Sequence, residues 1–314
     1  MLYKTYLIKK VFFILLLLIL SENYLYSIES KILVKVNNEI ITNLDIKNEI
    51  RYLKALNPKI KNLQKIRLNL IAKNSLIREK IKQNEILRYV DKIELNPLMT
   101  EKLIKERYTK LNFTEKNEFL EYLKYYQVDI NTIENKITIE ALWNQLIYSK
   151  FISKVKIDKI NLNKQIDQFK NKEKKSYLLS EIVFKISDKK NLKNKYEEIK
   201  KEILKNGFES SALINSISAS SELGGKLGWI DEDALSLMVK KNLSKIKKDN
   251  FTKPIFTPNG YLILKIDDIK FTKRKVDKNK ELNRLINYQT NQQLNQFSNN
   301  YFNKIKKDTI INEL

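Results

Sequence analysis

The chain has 314 residues, carries a formal net charge of +23, and contains neither histidine nor cysteine. Without those two residue types it cannot form a Ser-His-Asp or Cys-His nucleophilic site, a disulfide, or a metal site of thiolate or imidazole ligands, and we expect no metal and no cofactor. The charge suits nucleic acid, an anionic membrane surface or acidic polypeptides, but lysines are spread along almost every segment, so no nucleic-acid partner is expected.

The first thirty residues have the pattern of a secretory signal peptide. A basic stretch ending at Lys10 precedes an unbroken apolar run from Val11 to Leu20. Ten helical residues rise only about 15 Å, half of a hydrocarbon core, so the run fits a signal peptide better than a membrane anchor. We therefore predict a cleavable signal peptide over residues 1–30 and a mature protein outside the cytoplasm with no stable membrane insertion.

The segment after the predicted signal begins with a hairpin and a helix. Alternating apolar residues flank Asn37-Asn38, a pair that favours a tight turn between two strands. Thr42 and Asp45 fit a capping box, and the apolar spacing that follows predicts a helix to about Leu56, before Pro58.

Residues 31–174 are predicted to form one mostly helical domain. Its further helices are expected over Leu63 to Tyr89, Thr100 to Leu111, Thr114 to Gln127, Ile130 to Lys154 and Leu162 to Lys172. The aromatic residues Phe119, Tyr122, Tyr126 and Trp143 are candidates for contact with unfolded chains. At helical spacing, however, a place in the core is the favoured interpretation.

The period changes from helical to alternating at Tyr177, which predicts a strand to Phe184. A helix closed by Gly207, a Ser-rich loop, a short helix near Leu235 to Ile246 and a strand from Gly260 to Ile266 are expected to complete a compact α+β unit over residues 175–271. The tail, residues 272–314, is predicted to be helical from Lys278 to its end and to pack on the N-terminal domain.

Four segments of this unit resemble, in order and spacing, a parvulin-type peptidyl-prolyl isomerase domain, also called PpiC or rotamase. They are Leu179-Ser180-Glu181-Ile182, Gly224-Gly225-Lys226-Leu227-Gly228-Trp229, Pro254-Ile255 and Gly260-Tyr261-Leu262-Ile263-Leu264-Lys265. Upstream, Val36-Asn37-Asn38-Glu39-Ile40-Ile41-Thr42 and the helices after it resemble the N-terminal domain of SurA-like periplasmic chaperones, and residues 297–311 resemble its returning C-terminal helix.

The resemblance implies an α+β protein in which a helical chaperone domain is completed by a C-terminal helix and joined to one parvulin-like domain. It also implies an ATP-independent chaperone of the periplasm that binds unfolded outer-membrane proteins or aromatic-rich peptides. Gly224-Gly225-Lys226 lacks the spacing of a phosphate-binding loop, in line with ATP independence.

The positions that form the isomerase pocket in parvulins are largely altered here. The two histidine positions fall on Glu181 and Leu262, and the Cys or Asp position falls on Ser218. The remaining pocket positions are Val239 for Phe, Leu235 for Met or Leu, and the retained Leu227. Loss of both histidines and of the Phe ring predicts weak or no isomerase activity, and no catalytic residue is assigned. Glu181 itself is expected to be a partly exposed strand residue paired with a lysine.

Two alternatives remain open at this point. One is an active parvulin-type isomerase or foldase that works with a histidine-free pocket. The other, motivated only by the charge, is a basic protein that binds an envelope polymer or nucleic acid.

Overall fold

The computed structural model describes residues 30–168, 174–186, 188–272 and 277–314. The predicted signal peptide lies outside these ranges except for Ser30. Within them, no helix combines the length and the apolar character needed to cross a membrane.

A hairpin and a capped helix begin the helical part. Strands β1 (Ile32–Val36) and β2 (Glu39–Thr42) pair antiparallel around a turn in which Asn37 adopts a positive φ of 52°. The Thr42 hydroxyl accepts a hydrogen bond from the Asp45 backbone, and the Asp45 carboxylate accepts one from the Thr42 backbone. This reciprocal pair confirms the predicted capping box and starts helix α1 (Asn43–Leu56).

Further helices follow α1, and all but the last share one core with it; the last packs on the long C-terminal helix instead. They are α2 (Lys65–Ile86), α3 (Pro97–Lys110), α4 (Lys116–Tyr125), α5 (Ile130–Phe151) and α6 (Lys159–Gln168). Helix α3 begins three residues earlier than predicted, because the Asn96 side chain caps it and a proline at its first position gives up no helical hydrogen bond.

The α+β unit is a four-stranded antiparallel sheet in the order β4-β3-β6-β5. Its strands are β3 (Lys174–Phe184), β4 (Lys226–Asp231), β5 (Ile255–Thr257) and β6 (Gly260–Thr272). Three helices accompany the sheet: α7 (Leu192–Asn206), α8 (Phe208–Asn215) and α9 (Leu237–Leu243). Helices α7 and α8 pack on one face of the sheet, and α9 packs on the other.

The Ser-rich loop predicted after Gly207 is wrong over residues 208–215, which form α8. Phe208 and Ala212 are buried against the sheet together with Ile199 of α7. Tertiary burial therefore outweighs the weak helical preference of a segment that carries two adjacent serines.

The C-terminal part consists of the long helix α10 (Lys278–Asp308) and the short strand β7 (Ile311–Glu313). Near its end α10 packs on α5, where the Trp143 indole donates a hydrogen bond of 2.9 Å to the Ser298 hydroxyl. Helix to the end of the chain was a wrong expectation: β7 pairs antiparallel with β1 and completes a β2-β1-β7 sheet.

Candidate functional site

A cavity of about 870 Å³ opens between the β4-β3-β6-β5 sheet, α9 and α10. Five of the six pocket positions named from the sequence line it: Glu181, Leu227, Leu235, Val239 and Leu262. The sixth, Ser218, lies beside the cavity and hydrogen-bonds to Glu181. Side chains far apart in sequence are thus gathered at one place.

The strands and α9 explain how these side chains meet. Glu181 of β3 is paired with Leu264 of β6, and Val183, two positions further on, is paired with Leu262. Side chains at every second position of a strand lie on the same face of the sheet, so Glu181, Leu262 and Leu264 all face the cavity. At the mouth, the Ser236 hydroxyl accepts a hydrogen bond of 3.3 Å from the Val239 backbone and caps α9. This cap fixes Val239 in the first turn of the helix, at the cavity wall.

Glu181 and Asp233 are acids of the cavity lining, and the hydrogen-bond partners of Glu181 are hydroxyls. The Ser218 and Ser220 hydroxyls donate to the same carboxylate oxygen, Oε1, at 2.6 and 2.8 Å. Burial raises the pKa of the Glu181 carboxyl, and the two serine hydrogen bonds offset this only in part. Glu181 is partly exposed, as expected, but the expected pairing with a lysine is wrong: within the described residues it is in no salt bridge, and its carboxylate accepts from the serine loop instead.

The segment that carries these serines is anchored by the helical part of the chain. Arg78 of α2 donates to the backbone carbonyl of Ser218 at 3.3 Å. Glu222, at the end of the same segment, lies 3.6 Å from the Lys82 ammonium. Burial opposes the charge on Glu222, yet the nearby Lys82 and Arg78 hold its pKa below its usual range. The surroundings of Glu181 therefore depend on α2 as well as on the sheet.

Helix α10 supplies a polar wall that the sequence analysis missed. Gln289, Gln292, Gln293 and Gln296 share one face of the helix and line the cavity. Gln293 already pairs with a peptide group, since its Nε2 donates to the Lys156 carbonyl at 2.7 Å and its Oε1 accepts from the Lys156 N–H at 3.0 Å. The only signal in the sequence was the helical spacing of these glutamines.

Tyr288, next to that wall, also reaches the cavity. Burial and the neighbouring Glu181 raise the pKa of its hydroxyl to about 12, so the phenol is neutral at physiological pH. The buried side chain of Asn259 lines a smaller adjoining pocket, which shares Glu181 and Gln292 with the cavity, and its Oδ1 has no hydrogen-bond partner among the described residues. Together with the amide wall, these groups offer hydrogen bonds to an uncharged polar guest.

The arrangement suits an extended peptide. Apolar side chains of the sheet and α9 can accept an aliphatic side chain or a proline ring, and the carboxamides opposite can pair with peptide groups as Gln293 does with Lys156. Such contacts carry little sequence information, because every peptide group except that of a proline presents the same donor and acceptor.

The candidate aromatic residues of the helical part divide into two pairs. Phe119 is 0% exposed and Trp143 is 2% exposed, so neither is accessible to a client, and the core interpretation is the right one for both. Tyr122 and Tyr126 are partly exposed, with rings 5.0 Å apart. The Tyr122 hydroxyl donates to the Ala55 carbonyl at 2.7 Å, and both rings pack against the helical core, so each is accessible only in part.

Residues 179–268 match the family model of the PPIC-type PPIase, or rotamase, domain. Over 213 residues the chain is 27% identical to the foldase protein PrsA of Staphylococcus epidermidis. The matched region covers 64% of this chain and 59% of the relative. The chain thus spans less than two thirds of that relative's length. It is also 26% identical over 207 residues to PrsA of Geobacillus kaustophilus, covering 63% of this chain and 69% of the relative.

Two solved structures are similar over much of the chain. One is from work on two structurally related SurA-like chaperones of Campylobacter jejuni, with 18% identity, coverage of 90% of this chain and 98% of the other, and a TM-score of 0.36. The other is PrsA of Bacillus anthracis, with 23% identity, coverage of 74% and 96%, and a TM-score of 0.30. At such low TM-scores, the domain assignment depends on the sequence match over residues 179–268.

Proposed function

We propose that this chain, which carries a PPIC-type peptidyl-prolyl isomerase domain, is an ATP-independent chaperone of the periplasm that binds unfolded outer-membrane proteins and has a weak or inactive isomerase pocket. The observation that carries the proposal is the cavity itself. It keeps an apolar floor for a client side chain, adds an amide wall for client peptide groups, and holds one carboxyl where parvulins have histidine.

Binding and catalysis make different demands on this cavity. Rotation about a prolyl amide has a barrier near 18–20 kcal/mol, and a catalyst must bind the twisted amide better than the planar one. That requires polar groups aimed at the amide as it twists. Here the Glu181 Oε1 atom is occupied by two serine hydroxyls, and Leu262 offers no polar group. The cavity is therefore better suited to holding a peptide than to isomerising it.

An isomerase assay on a short proline peptide tests the catalytic part of the proposal. We expect the intact chain to accelerate cis-trans exchange by no more than about tenfold over a Glu181→Ala/Val239→Ala double variant, since about 1.4 kcal/mol of barrier corresponds to tenfold. Asn291→Ala, on the exposed side of α10, is the matched control. A rate far above that of the double variant would instead establish an active isomerase with a histidine-free pocket.

Export from the cytoplasm is supported by the basic and apolar pattern of residues 1–20. The test is fractionation of cells that express the full chain. A shortened protein in the periplasmic fraction, with an N-terminus between Ser21 and Lys31, is the expected result. A full-length protein confined to the cytoplasm would contradict the location.

A further inference from the structure

A second groove, remote from the isomerase-like pocket, runs between α1 and α2. Its volume is about 1040 Å³, and we call it the α1–α2 groove. Its apolar floor includes Ile46, Ile50 and Leu68, and its rim includes Ile66 and Leu70, which are 80% and 40% exposed. Both of these apolar side chains remain exposed within the described chain.

The groove is basic as well as apolar. In the described part of the chain, five cationic side chains and no carboxylate line it: Lys47, Arg51, Lys54, Lys65 and Lys73. Lys73 forms a salt bridge of 2.7 Å with Glu313, whereas Arg51 donates a hydrogen bond of 3.5 Å to the Asn48 amide oxygen. Among the residues that the structure describes, Lys47, Lys54 and Lys65 have no acidic partner. Positive potential is thus concentrated around an apolar floor.

The shape points to a helical guest. The lining residues of α1 run from Asn43 to Lys54 along one face, about three turns or 17 Å at 1.5 Å per residue. A groove between two helices with an apolar floor is a common receptor for the apolar face of an amphipathic helix. Cations on both sides would then meet acidic residues that flank that face.

We propose that the α1–α2 groove binds an acidic amphipathic segment of another polypeptide, about three helical turns long. Aliphatic residues of the segment occupy the floor, and its Asp and Glu side chains meet Lys47, Arg51, Lys54 and Lys65. This site is separate from the isomerase-like cavity and does not depend on the function proposed for it. The chain's own N-terminal segment is a poor occupant, because Lys4, Lys9 and Lys10 would face like charges.

The test is fluorescence anisotropy with a dye-labelled helical peptide that carries Leu on one face and Glu on both flanks. We expect Lys47→Glu/Lys54→Glu to weaken binding at least about tenfold, since charge complementarity is inverted at the rim. The matched control is Lys201→Glu/Lys205→Glu, which makes the same change in net charge on an exposed face of α7. That control should stay within about twofold of the unmodified chain, because distant exposed charges are screened.

Further measurements test the apolar contribution to binding and distinguish a peptide from a membrane as the ligand of the groove. Ile66→Ser, at a position too exposed to matter for folding, should also weaken binding, and a peptide with Gln in place of Glu should bind poorly. Equal losses in the groove variant and the α7 control would overturn the proposal in favour of unspecific charge attraction. Groove-dependent binding to phosphatidylglycerol vesicles with none to the peptide would overturn it in favour of a membrane. Circular dichroism checks that each variant is folded.

Discussion

Glu181 places a carboxyl in a cavity whose lining is mostly apolar and amide, with Asp233 and Lys240 as further charged residues. Its pKa is raised because burial disfavours the charge, and Ser218 and Ser220 compensate only in part. A raised pKa means that the folded chain binds more protons than the unfolded chain, so stability falls as pH rises through that window. Well below the usual pKa of 4.5 the carboxyl is protonated in both states, and it does not destabilise the fold. Above the raised pKa of the folded state it is ionised in both, and the fold is destabilised to the full extent.

Replacing Glu181 by Gln should therefore raise the melting temperature at neutral pH and flatten its dependence on pH above 4.5. The Gln oxygen can still accept from both serines, so the hydrogen bonds survive while the buried charge is removed. Thermal unfolding from acidic to neutral pH measures the effect, with the exposed Glu115→Gln as control. A melting temperature that falls at neutral pH would mean that the ionised form stabilises the fold.

Features that depend on residues close together in the chain could be predicted from the sequence. The capping box of Thr42 and Asp45 depends on residues three positions apart, and it is present in the structure. The partners of Glu181 could not be read in this way, because Ser218 and Ser220 are 37 and 39 positions away and only the fold brings them to it. For the same reason, the helical spacing of the α10 glutamines places them on one face of the helix but could not show that this face meets a cavity.

At the scale of elements, the turn before β4 fixes the place of Glu181. Gly225 has a φ of +82°, and a Cβ there would lie 2.2 Å from the Glu181 carbonyl oxygen. The Glu181 N–H donates to the Gly225 carbonyl at 2.7 Å. Gly228 has a similar φ of +79° but open space around its missing Cβ. Both glycines have the same kind of backbone conformation, but only Gly225 is also in close contact with β3. Comparing an alanine substitution at each position therefore distinguishes the free-energy cost of the conformation from that of the close contact.

Gly225→Ala should destabilise the chain by about 3 kcal/mol or more, through backbone strain plus a steric clash that moves β3. Gly228→Ala should cost about 1 kcal/mol, the strain of a left-handed residue alone. Urea unfolding of the two variants measures the difference. Equal midpoints would show that the turn yields easily and does not hold Glu181.

The two elements that the sequence analysis missed, β7 and α8, were missed for the same physical reason. Strand β7 has three residues and gains its hydrogen bonds from β1, at the other end of the chain. Helix α8 has eight residues and is stabilised by burial on the sheet more than by its own propensity. Short elements of this kind are determined by long-range contacts, whereas α1 and α10 carry their own caps and apolar spacing.

At the scale of the whole molecule, α10 connects the core of the helical part with the cavity beside the four-stranded sheet. Its last turns pack Phe302 and Tyr301 around Trp143 of the helical core. Its middle presents Gln292 to the cavity beside the sheet. From the other side, Arg78 and Lys82 of α2 hold the serine segment next to Glu181. Client binding at the cavity is therefore expected to depend on the intact chain.

We propose that this molecule holds unfolded outer-membrane proteins without ATP and without fast prolyl isomerisation. The most direct measurement is light scattering after an unfolded outer-membrane β-barrel protein is diluted into nucleotide-free buffer with an equimolar amount of the intact chain. We predict suppressed aggregation, equally strong with the Glu181→Ala/Val239→Ala variant and unchanged by added ATP. Scattering as high as with a basic protein that is not a chaperone would contradict the account.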